Sequence, residues 1–171
     1  MGYTTDFNGE ITIDPPLNPS ELAFLNDFSG SRRMCRKNGP LYAVPGDNYG
    51  QNQTDDVLDY SEPDPDQPGL WCQWISPDGT TIEWDGGEKF YNSEKWMKYL
   101  ITHLFTPDAR EYVKDHLDEH PMLAEFTFDH IFNGTISAQG EDPDDKWALY
   151  VEDNIVSVAD AVLTYGPRVK L

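Results

Sequence analysis

The chain has only two cysteines in 171 residues, Cys35 in a basic stretch and Cys72 in an apolar run. Two thiols so placed give neither a disulfide framework nor the paired spacing of a thiolate metal site, and they fit a reducing compartment. Long apolar runs are missing as well: no window approaches the eighteen apolar residues of a membrane span, and the opening MGYTTDF has no leader character. A soluble, cytoplasmic protein with no membrane attachment is the expectation. Positive charge is the scarcest resource. Twelve Lys and Arg face thirty-one Asp and Glu, a formal charge of −19, and the fifty-one residues from Asn38 to Glu88 hold eleven carboxylates and no Lys or Arg. Such a surface repels phosphate backbones and anionic lipid, which argues against direct nucleic-acid binding and toward a basic protein partner.

Aromatic residues are abundant at 13%, which separates this chain from disordered acidic sequences and supports a packed core. At this length one domain covering 1–171 is expected. Period-two spacing of Phe7, Ile11 and Ile13 predicts a strand over 4–13, with a bulge or turn at Asn8-Gly9. Asn18-Pro19-Ser20-Glu21 has the chemistry of a helix start, and the helix carries Leu22, Phe24, Leu25 and Phe28 to about Gly30, or on to Met34. Residues 36–69 read as an extended acidic loop with one short strand at 57–60. A hairpin over 69–75 and 80–84 turns at Ser76-Pro77-Asp78-Gly79. A helix over 93–105 and a shorter one ending by His120 follow, then strands at 125–132, 135–139, 146–151 and 155–163, with Asn133-Gly134 as a turn. The fold class is therefore α+β: a mostly antiparallel sheet with two or three helices packed on it.

The start MGYTTDFNGEITIDPPLNP, Gln67-Pro68-Gly69, Leu70 to Trp74, Ile82 to Asn92, Gln139-Gly140-Glu141-Asp142 to Trp147, and Val151-Glu152-Asp153-Asn154 resemble a family of small acidic proteins of actinobacteria and bacteriophages with no assigned activity. The resemblance covers most of the chain. It implies kinship and not chemistry; a phage or mobile-element setting would favour a host-directed or anti-defence inhibitor.

Three constellations bear on chemistry. Trp71, Trp74 and Trp84 with Glu83, Asp85, Glu88 and Tyr91 put rings beside carboxylates, the chemistry of a site for a cation, a base or a sugar; packing of the tryptophans into the core is the plainer reading. Asp55, Asp56, Asp59, Glu62, Asp64 and Asp66, with Glu141, Asp142, Asp144 and Asp145, form an acidic surface for a basic or nucleic-acid-handling partner, and would imitate DNA if they share one face. His116-Leu117-Asp118-Glu119-His120 matches H-x-x-E-H, but Pro121 ends the helix on its second histidine, so no metal or cofactor is expected. Cys35 beside Arg32, Arg33, Arg36 and Lys37 would be reactive if those cations lowered its pKa, although internal pairing of the cations with the acidic loop is the simpler use. The favoured function is a non-catalytic acidic interaction protein. A small-molecule or nucleotide binder, or an enzyme, built on 71–91 is the alternative.

Overall fold

The computed structural model describes residues 2–44, 54–118 and 120–170. Its elements are β1 (Thr5–Asp14), α1 (Pro19–Gly30), β2 (Met34–Arg36), β3 (Val57–Pro63), β4 (Trp74–Ile75), β5 (Thr81–Trp84), α2 (Ser93–Leu100), α3 (Arg110–Lys114), β6 (Ile131–Gly140), β7 (Lys146–Glu152) and β8 (Ile155–Asp160). Six strands form an antiparallel sheet in the order β4-β5-β1-β6-β7-β8, and β2 with β3 makes a separate ribbon, giving the expected α+β fold.

The centre of the sheet is β1 against β6, paired from Thr5 opposite Gly140 to Asp14 opposite Ile131. Phe7, Ile11 and Ile13 of β1 and Phe132, Ile136 and Ala138 of β6 point into the core, while Asn8, Glu10, Thr12, Asn133, Thr135 and Ser137 face out. Both strands carry Phe-Asn-Gly, and the register sets Gly9 opposite Ile136 and Gly134 opposite Ile11, a local two-fold arrangement. Each glycine has a positive φ, +124° and +152°. A Cβ on Gly9 would come 2.5 Å from the Thr135 carbonyl oxygen, and one on Gly134 would come 2.5 Å from that of Glu10. Asn133-Gly134 is therefore not the turn its composition suggests. It is a place inside one ten-residue strand where two backbones approach too closely for a side chain.

The start of α1 is a complete capping box: Asn18 Oδ1 accepts from the N–H of Ser20 at 2.9 Å and of Glu21 at 3.0 Å, and Glu21 Oε2 accepts from the Asn18 N–H at 2.8 Å. Such a cap contributes about 1 kcal/mol. Phe24, Leu25 and Phe28 bury the inner face, and the helix stops at Gly30 rather than Met34. The expected helix over 93–105 forms as α2 running into a π-helical turn, Ile101–Phe105, with Trp96, Met97, Leu100 and Leu104 buried. The Thr106 hydroxyl donates to the Ile101 carbonyl at 2.8 Å and so occupies an acceptor at the end of the widened turn.

Four other expectations change. Within 36–69, β3 reaches Pro63 and pairs with β2, so part of the acidic stretch is ribbon and not loop; residues 45–53 lie outside the described residues. Residues 125–132 keep the strand-like alternation of buried Phe126, Phe128 and His130, but a 3₁₀ turn occupies Pro121–Glu125 and β6 begins only at Ile131. The reason is that Thr127 N–H donates to the Glu21 carboxylate at 2.7 Å instead of to a strand, and Phe128 takes φ +57°, which breaks an extended run. The last strand ends at Asp160, three residues short. Finally, α3 ends at Lys114, so His116 and His120 are not ligands one turn apart on a helix; His116 rests on the Tyr112 ring at 5.2 Å, and Glu119 lies outside the described residues. Among the described residues no helix is long and apolar enough to cross a membrane.

Candidate functional site

The tryptophan-rich hairpin divides its residues between core and surface by strand parity. Cys72, Trp74 and Ile82 point inward and are fully buried. Trp74 packs edge-on against Phe7 at 5.3 Å and Phe90 at 5.0 Å, and its indole N–H donates to the Ser93 carbonyl at 2.8 Å. Trp74 is therefore core and, contrary to expectation, presents no face to a ligand. Trp84 is half-buried against Phe7 at 5.6 Å and donates to Gln73 Oε1 at 3.1 Å and the Gly87 carbonyl at 3.2 Å, which makes it a strut for the loop after β5. Glu83 lies opposite Ile75 in the hairpin.

Trp71, Glu88 and Tyr91 come together in an open groove of about 770 Å³. One wall is the end of β3, Ser61 to Pro63, with Pro68 to Leu70; the other is 87–92; Trp71 and Gln73 form the back. Glu62, expected only as part of an acidic surface, is in this groove, and Lys89 contributes the one cation of the lining. Asp85 instead lines a smaller cavity of about 270 Å³ on the other side of Trp71 and Gln73, with Asn26 and Ser29. Its carboxyl is pushed up by partial burial, opposed by the Gly87 N–H that it accepts at 2.7 Å.

Hydrogen bonds fix both walls. Gln73 ties the 85–92 loop to the back of the groove: its Nε2 donates to the Glu88 carbonyl at 2.9 Å while its Oε1 holds Trp84. Lys89 and Asn92 take positive φ of 60° and 56°, so the loop folds back on itself, and Asn92 Nδ2 reaches across to the Pro68 carbonyl at 2.8 Å. The opposite wall is anchored by Arg33, fully buried beneath it. Arg33 donates to the carbonyls of Tyr42 at 2.6 Å, Phe28 at 3.4 Å and Pro40, lies 3.8 Å over the Phe28 ring and 4.0 Å over that of Tyr42, and reaches Gln67 Oε1 at 3.5 Å. Gln67 passes the anchor on to the Tyr99 hydroxyl at 3.3 Å. Burial lowers the Arg33 pKa to about 10, which leaves it a cation at neutral pH held by carbonyl dipoles and ring faces.

The acidic residues occupy two regions. Asp55, Asp56, Asp59, Glu62, Asp64 and Asp66 run along and beyond β3, and Glu141, Asp142, Asp144 and Asp145 form the β6–β7 turn. The second set is bonded to the segment 2–4, whose Gly2 packs by Tyr91. A Cβ on Gly2 would fall 2.5 Å from the Tyr91 hydroxyl, while the neighbouring Tyr3 hydroxyl donates to Asp145 at 2.6 Å and Thr4 N–H donates to Glu141 at 2.8 Å. Several carboxylates are committed locally: Asp56 pairs with Arg36 at 2.8 Å, and Asp59 accepts from both the N–H and the hydroxyl of Ser61 at 2.9 Å. The pairing of Arg36 with the acidic stretch is the internal use of the basic cluster that the sequence suggests. Cys35 departs from the reactive reading. It sits opposite Asp59, and burial together with Asp64 and Asp59 raises its pKa.

A second arrangement escaped sequence reading. Glu21, fully buried, accepts from Asn18 N–H, from the Thr127 N–H and hydroxyl (3.1 Å), and faces His130 Nε2 at 3.0 Å, while His130 Nδ1 lies 2.6 Å from the Pro15 carbonyl. An acceptor at each ring nitrogen favours the imidazolium form of His130. Burial lowers its pKa, but Glu21 and the Pro15 carbonyl outweigh that and leave it raised. Burial likewise raises Glu21, and the bonds from His130, Thr127 and Asn18 outweigh it and leave it lowered. The capping box was a visible signal for Glu21; nothing in the local pattern of His130 names its partner.

No protein-family model, curated protein or solved structure matches the chain.

Proposed function

We propose that the chain is a non-catalytic binding protein that takes a basic, apolar segment of a protein partner into the groove between 61–70 and 87–92. The observation that supports this reading is the meeting, in one braced groove, of Trp71, Tyr91 and proline surface with the carboxylates of Glu62 and Glu88. A cation held over an indole contributes about 1–2 kcal/mol when partly desolvated, and each exposed ion pair at most about 1 kcal/mol. Affinity thus comes mainly from the rings, and charge sets sign preference and association rate. Nothing beyond the net charge favours the narrower role of a phage-borne DNA mimic or anti-defence inhibitor.

The test is fluorescence anisotropy with labelled peptides carrying Tyr, Pro and Arg, beside versions with Arg replaced by Glu. Salt-sensitive binding of the basic peptide alone is expected, weakened about tenfold by Trp71→Ala, as the loss of roughly 1.4 kcal/mol implies. Binding that is indifferent to Trp71→Ala and to peptide charge would refute the reading. The groove volume also suits a small ligand. A nucleotide or other planar molecule stacked on Trp71 is the second reading, and saturable binding of such a compound with no peptide binding would replace the first.

A further inference from the structure

The most exposed large apolar side chains among the described residues are in the segment after β8: Val162 at 85%, Leu163 at 78%, Tyr165 at 85% and Val169 at 83%. Over 161–170 this segment has no carboxylate and carries Arg168 and Lys170, so it is a cationic stretch in a chain of charge −19. Apolar side chains left this exposed on a well-packed protein signal a surface that another surface covers. The groove has the complementary chemistry, with Trp71, Leu70 and two prolines for the apolar side chains and Glu62 and Glu88 for the cations.

The register places both features at one end of the sheet. Thr5 lies opposite Gly140, Gln139 opposite Lys146 and Trp147 opposite Asp160, and Ala161 N–H donates to the Lys146 carbonyl at 2.8 Å, so the segment leaves at the Thr5 end. Gly2, at the same end, packs by Tyr91 of the groove wall. Two copies set end to end can therefore exchange segments about one two-fold axis and close as a dimer.

Resting on the binding reading above, we infer that the groove's occupant is segment 161–170 of a second copy of this chain, exchanged reciprocally. An extended stretch of ten residues spans up to about 33 Å, enough to cross to a neighbour. The ion pairs between Glu62 or Glu88 and Arg168 or Lys170 set the salt dependence of the exchange, and burial of Leu163 and Tyr165 against Trp71 supplies its affinity.

Sedimentation velocity on the full chain, from micromolar to several hundred micromolar at low and high salt, tests this. A monomer–dimer equilibrium that stops at two copies and weakens with salt is expected. Both Trp71→Ala and the pair Arg168→Glu/Lys170→Glu should weaken it about tenfold or more. Mixing those two variants should give a 1:1 heterodimer held by the one intact contact, and adding Glu62→Lys/Glu88→Lys to the tail variant should restore self-association. A chain that stays monomeric throughout overturns the inference, whether its segment is free or folds into its own groove; so does a dimer that survives Trp71→Ala. The tail variant, probed with the basic labelled peptide, separates the two failures. If it binds peptide while the wild type stays monomeric, the groove reading stands and the exchange falls. If neither binds, both fall.

Discussion

Replacing Glu21 by Ala removes the buried acceptor that joins Asn18, Thr127 and His130. The Asn18 and Thr127 N–H groups lose their shared partner, and His130 loses its nearer carboxylate, leaving Asp129 at 3.8 Å. Removing one member of a buried ion pair costs about 3–5 kcal/mol, a large part of the 5–15 kcal/mol that a domain has in total. For a chain of this size that lowers Tm by about 10 °C or more. Glu21→Gln keeps one acceptor oxygen and is expected near half that loss. The pH dependence follows from the directions of the two shifts. His130, raised above its ordinary 6.5, contributes fully below pH 6.5, and its contribution is lost as pH rises through the higher folded value. Glu21, lowered below 4.5, contributes fully above pH 4.5, and its contribution is lost as pH falls through the lower folded value. The pair therefore supports the fold most between about pH 4.5 and 6.5 and weakens on the alkaline side. Urea unfolding followed by tryptophan fluorescence, at intervals from pH 4 to 9, reads both effects. A Glu21→Ala loss under 1 kcal/mol, or a difference between wild type and Glu21→Ala that stays constant from pH 5 to 9, would refute the imidazolium–carboxylate assignment.

Gly134→Ala should cost more than an ordinary glycine substitution, about 3 kcal/mol or above, because a Cβ there meets the Glu10 carbonyl oxygen at 2.5 Å and the φ is unfavourable to any side chain; a thermal melt within 2 °C of wild type would contradict the close approach. Cys35 should be alkylated more slowly at pH 8 than a free thiol and faster after Asp59→Asn/Asp64→Asn, since both carboxylates hold its pKa up. Cys72, its pKa pushed up to about 12 by burial, should react only in denaturant. Two fast thiols in the native protein would show that the sheet end around Cys72 is open.

Local chemistry was legible where a residue's partner is near in sequence. The Asn18/Glu21 cap, the hairpin around Ser76 to Gly79 and the inward set Phe7, Ile11 and Ile13 all follow from spacing of a few residues. Readings failed where a distant partner decides. Asn133-Gly134 has the composition of a turn, but the Glu10 carbonyl across the sheet requires the glycine. The strand expected over 125–132 does not form before Ile131, because Glu21, over a hundred residues earlier, takes the Thr127 N–H. The tryptophan hairpin carried the right residues for the groove in Trp71, Glu88 and Tyr91, yet parity alone could not bring Glu62 and Pro63 to the facing wall. The pairing of Met34 with Pro63 does that, beside the bond from the Arg33 N–H to the Leu70 carbonyl at 2.8 Å, and neither is visible in local spacing.

The pairing of β1 with β6 joins residues 117 to 135 positions apart. On a ribosome, β1 emerges first and cannot take its place at the middle of the sheet until Gly140 has been made. β5 offers it only a two-residue partner, Ile11 with Ile82 and Thr12 with Thr81. Closing the centre of the sheet therefore waits on the long stretch between β1 and β6, with high contact order and the slow rates that accompany it. During that interval Phe7, Ile11 and Ile13 stand uncovered, and the many carboxylates along the nascent chain keep neighbouring copies apart by repulsion.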